Sequence, residues 1–200
     1  MGGGDELERW VREGEPLRQK LALACRILAM EGHNDLTLGH VSARHPGTSV
    51  YWMKATGLGL EEVTPDDIVL LDLEGNKLWG QARPHNELPI HAEVYRARPD
   101  VMAVVHTHPL HATIFSAGDV PLRPVTHEGI LFYPDVPRFT QTTDLILTRE
   151  QGQGVAEALG QGRAVLLRNH GIVAVGGSVE EACMVAIYLE KAARAQLLAQ

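Results

Sequence analysis

The stretch RPHNELPIHAEVYRARPDVMAVVHTHPLH, residues 83–111, decides how this chain folds. An acid followed by Leu-Pro and an apolar periodicity predicts a helix that begins near Glu87. The apolar run at residues 101–105 predicts a buried strand, which continues into a His-Thr-His motif. Side chains two positions apart on a strand point to the same side. We therefore expect His106 and His108 to bind one ion together, with Glu87 close to the same point.

A third candidate ligand lies much later in the chain. His170 follows another apolar strand, and Gly171 behind it allows close backbone approach. Three neutral imidazoles leave a divalent ion with open coordination positions, which is the arrangement of catalytic rather than structural zinc sites. The residues thus predict a metal held by His106, His108 and His170 with the carboxylate of Glu87 beside it.

The remaining histidines have simpler interpretations. The chain has ten histidines, and five of them fall in turns or at edges where we expect solvent exposure: His33, His40, His45, His85 and His111. His91 and Tyr95 lie one helical turn apart and are expected to pack or to support the site from behind rather than to bind the metal.

Composition limits the class of protein. Two hundred residues with 44% hydrophobic and 22% charged content indicate one globular domain, residues 1–200. The net charge of -7 argues against a nucleic-acid-binding surface. Cys25 and Cys183 lie in apolar helical patterns, where packing explains them. With no apolar run of about 18 residues and no signal-like start, we expect a cytoplasmic location and no membrane contact.

Periodicity and turn signals indicate a mixed sheet flanked by helices. Two capping boxes, at Thr148 and at Ser178, predict the last two helices. Residues 121–141 contain four prolines and predict an irregular connection. Helices are predicted over residues 15–31, from about 87, over 111–117, 148–159 and 178–200, and strands over 36–44, 49–54, 68–73, 77–79, 101–105, 163–167 and 172–175.

Together these residues resemble the class II aldolase/adducin family over residues 16–198. The resemblance rests on the Gly39–Arg44 segment GHVSAR, on Arg-Pro-Asp before the strand, and on the spacing of Glu87, the His-Thr-His motif and Asn-His-Gly. It implies a three-layer α/β/α domain with a central mixed, mostly antiparallel sheet. It also implies a homotetramer with interfacial active sites, metal ligation by His106, His108 and His170, and acid/base catalysis by Glu87. The adducin branch lacks the three histidines, which this chain keeps.

Departures from the family pattern suggest the substrate. Sugar-phosphate aldolases of the family bind phosphate with an Asn in Gly-Asn-x-Ser and with a Ser-Ser pair before the acid. This chain has His40 ahead of Ser42, and His85-Asn86 before the acid, so these residues become candidates for binding a substrate without phosphate. Where the aldolases carry a tyrosine proton donor this chain has His127, which is suited to the role near neutral pH.

The His127 substitution, residues 121–125 and the proline-rich loop after them resemble the family's aromatic-acid decarboxylases. This resemblance implies a metal-dependent carbon–carbon lyase that decarboxylates a small hydroxylated aromatic acid. An aldolase acting on a hydroxy-carbonyl compound or a sugar phosphate is the alternative. An epimerase, a non-haem iron oxygenase and a non-catalytic binding module stay open as further readings. Three imidazoles suit Zn²⁺, Mn²⁺, Fe²⁺ or Co²⁺. Zinc is implied by the aldolases and manganese by the decarboxylases that the chain resembles.

Overall fold

The structure, a computed structural model, describes residues 3–199. In this part of the chain eight strands form one sheet in the order β4-β3-β2-β1-β5-β8-β7-β6, in which only β6 and β7 pair in parallel. The strands are β1 (His40–Arg44), β2 (Val50–Lys54), β3 (Ile68–Asp72), β4 (Lys77–Trp79), β5 (Ala103–Thr107), β6 (Arg138–Phe139), β7 (Ala164–Leu167) and β8 (Gly171–Gly176).

Helices cover both faces of this sheet and make it the middle of three layers. Two apolar cores separate the layers: one contains Leu21 and Val185, and the other contains Ile90 and Val155. The described helices are α1 (Gly3–Glu13), α2 (Glu15–Leu28), α3 (Leu88–Ala97), α4 (Leu110–Ser116), α5 (His127–Ile130), α6 (Arg149–Leu159) and α7 (Val179–Leu198). The predicted three-layer α/β/α fold with a mixed, mostly antiparallel sheet is confirmed.

Local sequence signals explain most element boundaries. Thr148 accepts a hydrogen bond from the backbone N–H of Gln151, whose side chain accepts one from Thr148 in return, so the predicted capping box begins α6. Ser178 likewise accepts from the backbone N–H of Glu181 at the start of α7. Cys25 and Cys183 are buried and free, as packing residues should be. Within residues 3–199 no helix is long and apolar enough to cross a membrane.

Two expectations need correction, and one helix was not predicted. The first strand begins at His40 rather than at residue 36, because Leu36 and Gly39 have positive φ angles of 48° and 77° that an extended strand does not accept. Helix α1 was not expected, although Leu7, Trp10 and Val11 lie at helical spacing and pack on the core. The connection at residues 121–141 contains the short helix α5 and the two-residue strand β6.

Candidate active site

The centre of the sheet brings the predicted ligands together. His106 lies on β5, His108 lies just beyond its end, and His170 precedes β8, which pairs with β5. Glu87 immediately precedes α3, on the side of the sheet that this helix covers. One nitrogen from each histidine and one oxygen of Glu87 lie within 4.8 Å of one another, although 64 residues separate His106 from His170 in sequence.

The hydrogen bonds of two histidines leave their inner nitrogens free to bind a cation. The Nδ1–H of His106 donates to the carbonyl of Ile172 at 2.9 Å, and the Nδ1–H of His108 donates to the carboxylate of Asp35 at 2.9 Å. Their Nε2 atoms then carry lone pairs, yet these atoms face each other at 3.0 Å. Two lone pairs so close repel unless a cation lies between them. Two ligands at about 2.0–2.1 Å from one tetrahedral zinc lie about 3.3 Å apart.

The other two members of the cluster fit the same cation. Both ring nitrogens of His170 are buried without a hydrogen-bond partner, and its Nε2 lies 3.5 Å from Glu87 Oε1. Oε2 of Glu87 also has no partner and lies 3.6 Å from His106 Nε2. Buried polar atoms are rarely left without partners. These orphaned atoms, together with the facing lone pairs, show that the residues present fit a bound divalent metal.

Electrostatics keeps the ligands in the forms that bind metal. Burial, together with the neighbouring His106, lowers the pKa of His170 to about 4 and also lowers the pKa of His108. Both rings are therefore neutral near pH 7, as metal ligation requires. Burial alone would raise the pKa of Glu87, but its close contacts with His106 and His40 outweigh burial and hold this pKa well below its ordinary value. Glu87 is thus a carboxylate.

A second group of histidines lies on the other flank of Glu87. The ring centroids of His40 and His85 lie 4.0 Å apart, and His40 Nε2 lies 3.6 Å from Glu87 Oε2. Burial lowers the pKa of His85 to about 4 and the pKa of His40 well below its usual value, so both rings are neutral. The expectation that turn and edge histidines are exposed was wrong: His33, His40, His45 and His85 are at most 5% exposed, and His111 is partly buried.

The remaining candidates lie in different places. Ser42 is buried and contacts His91 and Tyr95. Asn86 is exposed and lines a separate cavity beside Leu73 and Arg96, so the structure does not bring it to the cluster. His127 is exposed on α5, which packs against α7, and it is not among the residues that line the cavity next to the cluster. Asn86 and His127 keep their substrate and proton-donor roles only as predictions.

An open cavity of about 530 Å³ leads to the cluster. His108 and His170 form part of its wall, with Asp144 nearby, and its other walls include Leu38, Leu110, Ile114 and Leu145. This volume suits a small organic molecule. A mouth with apolar side chains and a polar floor can hold an apolar body while its oxygens reach the histidines.

Two residues near the site carry no recognisable signal in the sequence. Asp35 orients His108 across 73 positions, and the backbone N–H of Ile146 donates to Glu87 Oε1 at 2.9 Å across 59 positions. A third, Asn169, adopts a positive φ of 57°. That conformation was detectable, because Asn tolerates it and the Asn-His-Gly sequence suggests a tight turn.

Comparisons with known proteins agree with this geometry. Residues 19–197 match the family model described as class II aldolase and adducin N-terminal domain. A 3,4-dihydroxyphthalate decarboxylase of Arthrobacter keyseri is 36% identical over 86% of this chain and 74% of its own length. A 4-hydroxy-3-prenylphenylpyruvate oxygenase/4-hydroxy-3-prenylbenzoate synthase of Streptomyces roseochromogenus subsp. oscitans is 33% identical over 92% of this chain and 68% of its own length.

A solved structure extends the comparison to three dimensions. The L-fuculose 1-phosphate aldolase from Glaciozyma antarctica PI12 matches with a TM-score of 0.82 and 32% identity, covering 93% of this chain and 74% of that one. The sheet, the cluster of three histidines and one glutamate, and the family match over residues 19–197 lead to one assignment. The chain belongs to the class II aldolase and adducin family, and it is a lyase.

Proposed function

We propose that this lyase decarboxylates a small hydroxylated aromatic carboxylic acid. The observation that carries the proposal is the pair of imidazole rings, His40 and His85, packed beside Glu87. They stand at the positions where the family resemblance implies that sugar-phosphate aldolases bind phosphate. Both rings are neutral and buried, so they offer a dianionic phosphate neither positive charge nor space. A carboxylate carries less charge and needs fewer donors.

The cavity supports an aromatic body for the substrate. Leu38, Leu110 and Ile114 line its mouth, and the last two are 63% and 53% exposed. A flat ring against these side chains would direct a hydroxyl and a neighbouring carboxylate toward His108 and His170. One relative is named as a decarboxylase of 3,4-dihydroxyphthalate, which is a hydroxylated aromatic carboxylic acid.

The residues of the chain divide the work of the reaction. His106, His108 and His170 would hold the divalent metal, which when bound stabilises negative charge that develops on substrate oxygens. Glu87, kept as a carboxylate, accepts the proton of the substrate hydroxyl. The carboxylate group leaves as carbon dioxide, and a proton from His127, Glu87 or water completes the ring carbon. We assign zinc first, with manganese, iron and cobalt as alternatives.

We propose a homotetramer with active sites at subunit interfaces. His127 supports this, because it is exposed and does not line the cavity of its own chain. It could therefore act as proton donor in the active site of a neighbouring subunit. A groove between α2 and α7 also carries exposed apolar side chains, among them Leu23 and Met184. Sedimentation equilibrium tests the assembly, and a monomer with full activity would contradict it.

An aldolase is the second candidate. The same cluster of three histidines and one glutamate serves that chemistry, and the matched fuculose phosphate aldolase structure favours it. In this case the leaving group is an aldehyde rather than carbon dioxide, and His40 and His85 would have to accommodate the rest of the substrate.

One experiment separates the two. Enzyme reconstituted with zinc or manganese is offered ortho-hydroxy aromatic carboxylates and sugar phosphates in parallel, and carbon dioxide and aldehyde are measured. We expect carbon dioxide from an aromatic acid. The same preparation of His108→Ala gives the background. Aldehyde from a sugar phosphate, without carbon dioxide from any acid, would replace the proposal with the aldolase.

A further inference from the structure

A row of four buried polar side chains leads away from Glu87. His40 Nδ1 lies 2.6 Å from His91 Nε2, His91 Nδ1 lies 2.6 Å from Ser42 Oγ, and Ser42 Oγ lies 2.7 Å from the hydroxyl of Tyr95. The four side chains are at most 1% exposed. At the near end of the row, His40 Nε2 is buried without a hydrogen-bond partner and faces Glu87 Oε2 at 3.6 Å.

The periods of one helix and one strand produce this row. Glu87, His91 and Tyr95 are spaced by four, so they follow one face at the start and along α3. His40 and Ser42 are spaced by two on β1, so they point to one side of the sheet. The helix face lies over that side of the strand, and the two sets of polar groups alternate.

The donors and acceptors of neutral imidazoles permit only two directions of hydrogen-bond donation along the row. A neutral imidazole donates through one nitrogen and accepts through the other. If His91 donates to His40, then His40 Nε2 carries a hydrogen that points at the carboxylate of Glu87. If His40 donates to His91 instead, His40 Nε2 presents a bare lone pair to a carboxylate oxygen 3.6 Å away.

We infer that the row is polarised toward Glu87 and makes His91, Ser42 and Tyr95 positioning residues for it. Tyr95 donates to Ser42, Ser42 donates to His91 Nδ1, His91 Nε2–H donates to His40 Nδ1, and His40 Nε2–H is directed at Glu87 Oε2. The reverse direction places a lone pair against a buried anion, which costs free energy with nothing to offset it. The role for Glu87 as the acid/base rests on the proposed function.

The row orients the hydrogens of its members toward Glu87, but it does not conduct protons from solvent. At its far end the ring of Tyr95 packs against Tyr51 at 5.3 Å between centroids, and the guanidinium of Arg44 lies over it at 4.8 Å. Tyr95 is thus closed off from solvent. Ile146 N–H donates a hydrogen bond to Oε1 of Glu87, and an N–H of His40 directed at Oε2 from 3.6 Å adds an electrostatic attraction, so together the two groups orient the carboxylate for the substrate proton.

Nitrogen NMR on protein with ¹⁵N-labelled histidine and bound zinc tests the direction without any substrate. We expect His40 and His91 to be Nε2–H tautomers, and the spectra of His40→Asn and His91→Gln assign their signals. Nδ1–H tautomers for both rings would overturn the inference. So would a second zinc ion per chain, because His40, His85 and Glu87 could bind one only through a bare His40 nitrogen.

Kinetics of Tyr95→Phe tests the positioning role on the substrate found by carbon dioxide or aldehyde release. Losing the last donor of a buried row should lower kcat about tenfold, the equivalent of one buried hydrogen bond, with KM within about twofold and full metal content. Tyr51→Phe is the matched control, because its buried hydroxyl has no partner in the structure and kcat should not change. An unchanged kcat in Tyr95→Phe, or equal losses in both variants, would refute the role. The tautomer test stands even if the proposed reaction fails.

Discussion

Two groups of histidines meet at Glu87, and they differ in what their outer nitrogens contact. In His106 and His108 the outer nitrogen donates to an oxygen that can only accept, Ile172 O and the Asp35 carboxylate. In His40 the outer nitrogen contacts His91, which leads on to the hydroxyls of Ser42 and Tyr95. Both groups are buried, and both contain neutral rings in a low-dielectric surrounding.

The comparison shows that the hydrogen-bond partner behind an imidazole, at its outer nitrogen, determines the state of the inner nitrogen. That inner nitrogen, at the front of the ring, carries either a lone pair or a hydrogen. A carbonyl or carboxylate behind the ring leaves a lone pair in front, which binds a cation. A donor behind the ring leaves an N–H in front, which binds an anion. Glu87 lies between a group suited to a metal and a group suited to a carboxylate, and the predictions below test that division.

The largest effect is expected from removing one of the nitrogen lone pairs that would bind the metal. In His108→Ala the cation loses a ligand, so metal content should fall to background and turnover by roughly a thousandfold, the equivalent of several kcal/mol of charge stabilisation. The imidazole lies at a cavity wall, so the circular dichroism spectrum should persist. His111→Ala, whose ring contacts Glu190 instead, is the control that keeps the metal. Turnover by metal-free His108→Ala would end the metal-dependent mechanism.

Replacing the shared carboxylate should separate rate from metal binding. Glu87→Gln keeps the shape of the side chain and an acceptor for Ile146 N–H, but it removes the charge that accepts a proton. We expect about a hundredfold lower kcat, in the range typical of acid/base residues, with metal content unchanged. Elemental analysis beside kinetics decides the matter. Loss of the metal in this variant would make Glu87 a ligand.

The ligand group was easier to read from the sequence than the other group. His106 and His108 share a strand, so period-two geometry placed them together, and capping boxes located the helices that cover the sheet. His40 and His85 looked exposed because their covering neighbours come from distant segments: His91, for example, lies 51 positions after His40. Burial of a turn residue depends on what packs over it, and local composition carries no record of that.

The support behind His108 is expected to matter less than the ligand itself. Asp35→Ala removes the acceptor of the Nδ1–H, which loosens the ring and its tautomer, so metal affinity should fall about tenfold or more. Asp35→Asn retains an acceptor oxygen and should lose less. Competition with a chelator measures both constants. Equal affinity in wild type and Asp35→Ala would show that the cavity wall alone orients His108.

The smallest effect on the metal site is expected at His33, a buried histidine that belongs to neither group. Its Nδ1 contacts Thr107 Oγ1 at 2.8 Å, its Nε2 has no partner, and burial lowers its pKa from 6.5 to about 4. Below pH 6.5 the unfolded chain takes up a proton that the native ring refuses, so the free energy of unfolding falls as the pH drops toward 4. Between pH 6.5 and about pH 5 this amounts to about 2 kcal/mol.

Urea unfolding of metal-free wild type and His33→Gln at both pH values isolates the contribution, since His85 and His170 titrate alike in both proteins. The variant should show the shallower pH dependence, and after reconstitution with zinc it should bind as much metal as the wild type. Parallel slopes would mean that His33 is protonated inside the fold, and burial alone would then not explain which histidines of this chain stay neutral.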